Sequence, residues 1–304
     1  PSLYHPPAIA ELSRRFPDRR GFAISLHGTG GSIGEMFGPF IVGLLTTETF
    51  KVGSIITMTY LIAFEWNEVL RISVLPALIF ALVVYIMMRG VSKDVPKAES
   101  FAEYFGGLRE LLKDKGIWGL ILVTGLSDMG QSSIMYFLPL YLITAVGEGG
   151  LAKDPLTVGV FLAGAQVAGI IGQPVLGLLS DKCGRKIVLL PSMTILGISF
   201  IGLYYASDGY QLVLNIFVMG AFLYSLHTVF ISAAMDVSGG KSQPTVVSLI
   251  YGASLLGTVS PIFTGMLIDE FGIKSAFLFS GIICLIATVV LLWVKLPMNV
   301  GMAD

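Results

Sequence analysis

Charge is what this sequence has least of. Only 13% of its 304 residues are Asp, Glu, Lys or Arg, against 54% hydrophobic, and the mean hydropathy is +0.82. So little polar surface cannot clothe a soluble globule of this length, and the composition predicts a polytopic helical membrane protein. Cysteine is nearly absent too. Cys183 sits in a charged turn and Cys284 inside an apolar run, so no disulfide is expected. The three histidines, His5, His27 and His227, are scattered along the chain, and neither a metal site nor any cofactor is expected. A net charge of −1 offers nucleic acid nothing to bind. The phosphate loop G-x-x-x-x-G-K-S/T is missing, which argues against an ATP-driven pump. The first residues, P-S-L-Y-H-P-P, hold no initiator Met and no signal peptide, and they read as the inside of a longer protein.

What is present is organised around positions 177–186, G-L-L-S-D-K-C-G-R-K, a charged turn between two apolar runs at 155–179 and 187–206. Each run is long enough to cross a bilayer core of roughly 30 Å, which takes about 20 residues. The turn therefore lies at one membrane face, and Lys182, Arg185 and Lys186 mark that face as cytoplasmic.

Taken in order, residues 1–13 read as the last turns of a span whose beginning is absent. Arg14, Arg15, Arg19 and Arg20 form a second cytoplasmic turn, and a helix rich in small residues follows from 21 to about 46. Residues 47–66 are placed outside, with the short apolar piece 55–64 as an extension of that helix, and a clear span runs from about 69 to 88. Residues 89–116 break the apolar pattern. They are either a plain charged linker or an amphipathic helix whose stripe is Phe101, Tyr104, Phe105, Leu108 and Leu112, and on both readings they divide the chain into two halves. Six spans complete the second half, 117–304, at about 117–146, 155–179, 187–206, 210–235, 245–268 and 274–295. Alternation then assigns 15 of the 19 cations to the inner side and Lys51, Lys153 and Lys274 to the outer, with Arg71 near an outer helix end, the asymmetry the positive-inside rule demands.

An offset of 222 residues superposes His5 on His227, Gly30 on Gly252, Ser32 on Ser254, Pro39 on Pro261 and Gly43 on Gly265 without a gap. Both copies leave from a cytoplasmic turn, so this is a parallel repeat, with halves related by an axis along the membrane normal. By that symmetry about 110 residues, roughly three and a half spans, are missing before His5.

The turn at 177–186 resembles the signature of the major facilitator superfamily, G-x-L-S/A-D-R/K-x-G-R-R/K, at every defined position: Gly177, Leu179, Ser180, Asp181, Lys182, Gly184, Arg185 and Lys186. The resemblance implies an all-α membrane fold of two pseudo-symmetric helical halves, with about 8.5 of 12 spans present: the end of span 4 and spans 5 and 6 in residues 1–88, the linker at 89–116, and spans 7 to 12 in 117–304. It also places the turn between spans 8 and 9. Gly34-x3-Gly38-Pro39-x2-Val42-Gly43 is similar to the fifth-span motif of that superfamily's antiporters, departing from it at Val42 and Ser25. L-Y-H-P-P-A followed by G-x-x-x-S-L-H-G-T-G-G-S-I-G looks like the fosmidomycin resistance branch of efflux proteins.

Asp181 is expected to face the positive end of the ninth span's dipole, while Arg185 and Lys186 pair with acidic groups or helix C-termini, forming a latch that opens and closes. Ionisable groups inside hydrocarbon are costly and turn towards a cavity or a partner. Glu35 and Asp128, read as the two deepest carboxylates, and His227 are the candidates for coupling protons or substrate; Gln131, Tyr136, Gln166, Gln173, Tyr224 and Tyr251 are candidates for lining a pore. Each of these could equally make a structural contact between helices. Glu11, Asp236 and Asp269 lie near helix ends, as latch or cap residues. The sum is a secondary transporter of the cell membrane, monomeric at full length, with a small molecule, protons and lipid as partners. Proton-coupled efflux is the first expectation, proton-coupled uptake the second, and a non-transporting membrane sensor the third; no grouping of residues suggests an enzyme.

Overall fold

The structure is a computed structural model that describes residues 5–47, 49–52, 56–59, 64–89, 101–239 and 243–296. Part of the expected linker, 90–100, lies outside the described residues, as does Lys241. The chain opens with α1 (His5–Arg15), a 3₁₀ turn (Pro17–Arg19) and α2 (Arg20–Thr46). The stretch expected to extend α2 instead forms an antiparallel hairpin of β1 (Thr49–Val52) and β2 (Ile56–Thr59), pairing Thr49 with Thr59. Threonine, valine and isoleucine crowd both strands, and such β-branched residues fit a pleated ribbon better than a helix. Then come α3 (Trp66–Met88), α4 (Phe101–Leu111), α5 (Lys115–Ile143), α6 (Pro155–Cys183) and α7 (Arg185–Tyr205). The last segments are α8 (Tyr210–Leu223), α9 (Leu226–Val237), α10 (Gln243–Ala253), α11 (Leu255–Phe271) and α12 (Ser275–Trp293).

Helix ends follow local chemistry. Asp114 caps α5 by accepting from the Gly116 N–H at 2.6 Å, and Asp154 caps α6 through the Thr157 N–H at 2.9 Å, with Pro155 at the first helical position. Gly184, at φ +98°, separates α6 from α7 in a backbone conformation open to glycine and strained for other residues, which is why the signature turn carries it. The helix of the divider forms over Phe101–Leu111, with Leu111 its buried residue and Trp118 Nε1 donating to the Leu112 carbonyl at 2.7 Å.

Among the described residues six helical segments are long and apolar enough to cross a membrane: Trp66–Met87, Pro155–Cys183, Arg185–Tyr205, Tyr210–Val237, Thr245–Phe271 and Ser275–Trp293. Helices α2 and α5 are as long but less apolar, because they carry Glu35 and His27, and Asp128 and Gln131. Two of the six are interrupted. The span expected at 210–235 breaks at Tyr224–Ser225 and the one at 245–268 breaks at Ser254.

Most of the buried core lies in the second half, where Leu189, Met193 and Phe200 of α7 and Phe277, Cys284 and Leu291 of α12 share one cluster, and Tyr141 of α5 meets Phe277 edge to face at 5.2 Å. Helix α3 is the opposite: none of its apolar window is buried, the arrangement a hydrocarbon solvent favours. The connections gather at two ends. At one, Arg20 meets Asp236 and Lys186 meets the end of α12; at the other, Lys153 meets Asp208 and Lys274 meets the Tyr204 carbonyl. The 222-residue offset matches the elements as well: α1 falls on α9, and α2 on α10 together with α11.

Candidate functional site

The signature turn builds an ion-pair network at the end expected to be cytoplasmic, the inner end. Arg185, 3% exposed, pairs with Asp181 at 2.5 Å and with Asp236 at 2.7 Å, and its Nη1 donates to Ser180 Oγ at 2.6 Å. Arg20, from the first half, takes the other oxygen of Asp236 at 2.6 Å, where the Asp236 side chain is fully buried. Asp181 does not face the start of α7, as the sequence suggested. Its two oxygens accept from the Gly21 and Phe22 N–H groups, each at 2.9 Å, so the dipole it meets is that of α2, across the boundary between halves. Lys186 behaves as expected, donating to the carbonyls of Leu292 and Val294 at 2.7 and 2.8 Å at the C-terminus of α12. Lys182 is exposed. Glu11 pairs instead with Arg14 and Arg15, on its own helix.

From this network α2 and α6 run antiparallel in contact to the outer end: Ser25 against Gly177, Ser32 against Gln173, Glu35 against Gln166, Pro39 against Gly159 and Gly43 against Pro155. The approach is backbone to backbone. A methyl group on Gly43 would lie 2.7 Å from the Pro155 carbonyl oxygen, and one on Gly159 would lie 2.6 Å from that of Pro39. The antiporter-like motif is therefore split, since Pro39 and Gly43 lie in this seam while Gly34 and Gly38 face open space. Ser25, one of its departures, fills the seam opposite Gly177 and hydrogen-bonds Thr228 at 3.1 Å.

Midway along, the three histidines that looked scattered come together. His5 stacks on Tyr251 with centroids 5.7 Å apart, His227 tilts against the same ring at 4.9 Å, and His27 meets His5 edge-on at 6.0 Å. They border a cavity of about 280 Å³ that also takes in Glu35, Gln173 and Tyr224. This is a cluster of rings and not a metal centre, for among the described residues no group of three His, Cys, Asp or Glu could hold an ion. Glu35 lies near the middle of α2, where the sequence placed it. It is exposed at the rim, held by Gln166 Nε2 at 3.0 Å.

Asp128 is the deep carboxylate, 8% exposed, and among the described residues no ion pair involves it. It accepts from Ser254, the residue at the helix break, and more weakly from Gln131 Nε2 at 3.4 Å. It opens on a second cavity of about 470 Å³ shared with Gln131, Tyr136, Ser254 and His227. His227 is thus common to both cavities. Tyr224 reaches across to Met135 Sδ at 3.4 Å. Sequence reasoning missed Ser254, Ser32 and Thr228. The offset that pairs Ser32 with Ser254 was the available signal, since each sits beside one carboxylate or glutamine of the site.

A search of known proteins agrees with this architecture. The profile of the Major Facilitator Superfamily matches residues 2–153 and 148–300. The chain is 28% identical over 169 residues to the tetracycline resistance protein, class H, of Pasteurella multocida, covering 56% of this chain and 41% of that protein. It is 24% identical over 288 residues to the multidrug resistance protein MdtG of Enterobacter lignolyticus, covering 92% of this chain and 63% of that one. The chain therefore spans less than two thirds of the length of these relatives, 41% of one and 63% of the other. Among solved structures, a variant of the E. coli fucose:proton symporter FucP superposes with a TM-score of 0.63 at 16% identity, covering 92% of this chain and 70% of that one. FucP in its outward conformation gives 0.62 at 15% identity, covering 91% and 69%. Matched along nearly its whole length, this multi-pass cell-membrane chain belongs to the Major Facilitator Superfamily.

Proposed function

We propose that the protein is a secondary transporter that exports a small molecule in exchange for protons, working by alternating access as a monomer in the lipid bilayer. It is a transporter and not an enzyme on this reading. The observation that carries it is one boundary with two characters: the halves meet at a cavity of about 280 Å³ midway along, and at the inner end a latch of Arg20, Arg185, Asp181 and Asp236 bolts them together. Export is supported by relatives named for drug resistance. Asp128 is the proposed proton carrier, because a buried carboxylate without a cation gains most from protonation. Glu35, at the rim of the other cavity, is the proposed contact with substrate, and the ring of His227 stands between them.

The test is flux in vesicles reconstituted with the protein under an imposed pH gradient. Substrate should move against the proton flow, and Asp128→Asn should remove the dependence on the gradient while leaving exchange of substrate for substrate. Movement with the proton flow would make the protein an uptake symporter. Gradient-driven flux that survives Asp128→Asn would remove Asp128 from the mechanism, and a complete absence of flux would favour a sensor.

A further inference from the structure

We infer that the histidine-lined cavity takes an organic cation, a protonated amine on an apolar or aromatic body, with its ammonium group at the end bounded by Glu35 and Gln173. This rests on reading that cavity as the substrate site.

The argument begins with unmatched acceptors. Gln166 is 3% exposed and donates its amide N–H to Glu35. A carboxylate only accepts, so this bond fixes which way the amide points, and Gln166 Oε1 is left buried without a donor. Gln173, two turns further along α6 and 2% exposed, donates to Ser32 Oγ at 2.6 Å, and its Oε1 likewise has no donor. A buried acceptor without a partner is costly, and native structures leave few of them. Two on one helix face, flanking a carboxylate beside a cavity, ask for a ligand rich in N–H donors.

Charge agrees. Among the described residues no Lys or Arg borders either cavity, whereas one holds Glu35 and the other Asp128. The nearby first-half and second-half cations Arg20 and Arg185 are engaged at the inner end by Asp236 and Asp181. An anion would enter between two carboxylates with no fixed cation to receive it, and like charges placed together are strongly unfavourable. Tyr224 on the remaining wall adds an aromatic ring of the kind that attracts an ammonium group. At about 280 Å³ the cavity lies at the small end of ligand pockets, which suits a compact amine whose body extends past His227 into the larger chamber.

Equilibrium binding in nanodiscs, without any gradient, tests this with three probes of matched shape: phenethylammonium, phenethyl alcohol and hydrocinnamate. The ammonium probe should bind at least tenfold more tightly than the other two. Glu35→Gln should weaken it by about tenfold, the loss of one charge-assisted hydrogen bond, while leaving the alcohol unchanged. Glu35→Asp should keep most of the preference, which separates loss of charge from loss of fold. The inference is overturned if hydrocinnamate binds as well as the ammonium probe, if none of the three binds, or if Glu35→Gln leaves the ammonium affinity intact. Because no gradient is used, such a failure would leave the transport reading standing, and vesicles without flux would leave this binding result standing.

Discussion

The two halves meet in two places that are built by opposite rules. At the inner end four charges pair with one another: Asp236 holds two arginines, and Asp181 holds Arg185 and two backbone N–H groups. Midway, buried polar atoms are left over, with Gln166 Oε1, Gln173 Oε1 and His227 Nε2 all lacking a partner. A satisfied network resists separation, because pulling it apart strands charges in a medium that solvates them poorly. An unsatisfied one waits for something else. The contrast assigns holding to one region and receiving to the other.

The strongest way to break that contrast is Arg185→Ala. It leaves Asp181, and one oxygen of a fully buried Asp236, without a cation, and losing one partner of a buried pair costs about 3–5 kcal/mol. Thermal unfolding in detergent should shift down sharply, with flux lost, whereas Arg185→Lys should recover part of the stability but not the doubly anchored geometry. Next is Gly43→Leu in the α2–α6 seam. With Pro155 and Leu156 backbone atoms within 3 Å of any added carbon, overpacking should cost about 1–3 kcal/mol, read as a lower melting point. Gly184→Ala comes third, at about 1–2 kcal/mol for forcing a side chain onto a left-handed backbone, and it should loosen the latch without touching the midplane cavity. Smallest is Gly34→Ala. That position meets open space, so the change should be neutral or should stabilise α2 by up to about 1 kcal/mol. If Gly34→Ala were as damaging as Gly43→Leu, the division of the motif into seam and open face would be wrong.

Much of this was legible in the sequence, for identifiable reasons. Bilayer crossings are long apolar runs, and their inner corners are marked by arginine and lysine, so the helices fell close to their expected places. The signature turn announced Asp181, Gly184 and Arg185 by spacing alone. Which partners they take was hidden, because the N-terminus of α2 is 160 residues from Asp181 and only the tertiary fold joins them. The same holds for the histidines, which converge from positions 5, 27 and 227 onto one tyrosine. The interruptions at Tyr224–Ser225 and at Ser254 carry no proline or glycine at the break, so nothing local flagged them. The hairpin after α2 did have a signal, two β-branched runs around Val52-Gly53-Ser54, which the search for spans passed over.

The glycine-faced contact between α2 and α6 has a mechanical meaning of its own. Interlocked side chains act like gear teeth, and two helices meshed that way must be lifted apart before they can turn. Here bare main chain lies against bare main chain, at Gly43 on Pro155 and at Gly159 on Pro39, so one rod can roll on the other while staying in touch. On the proposed alternating-access cycle, a hinge line of that kind would let one face of the molecule gape as the opposite face shuts.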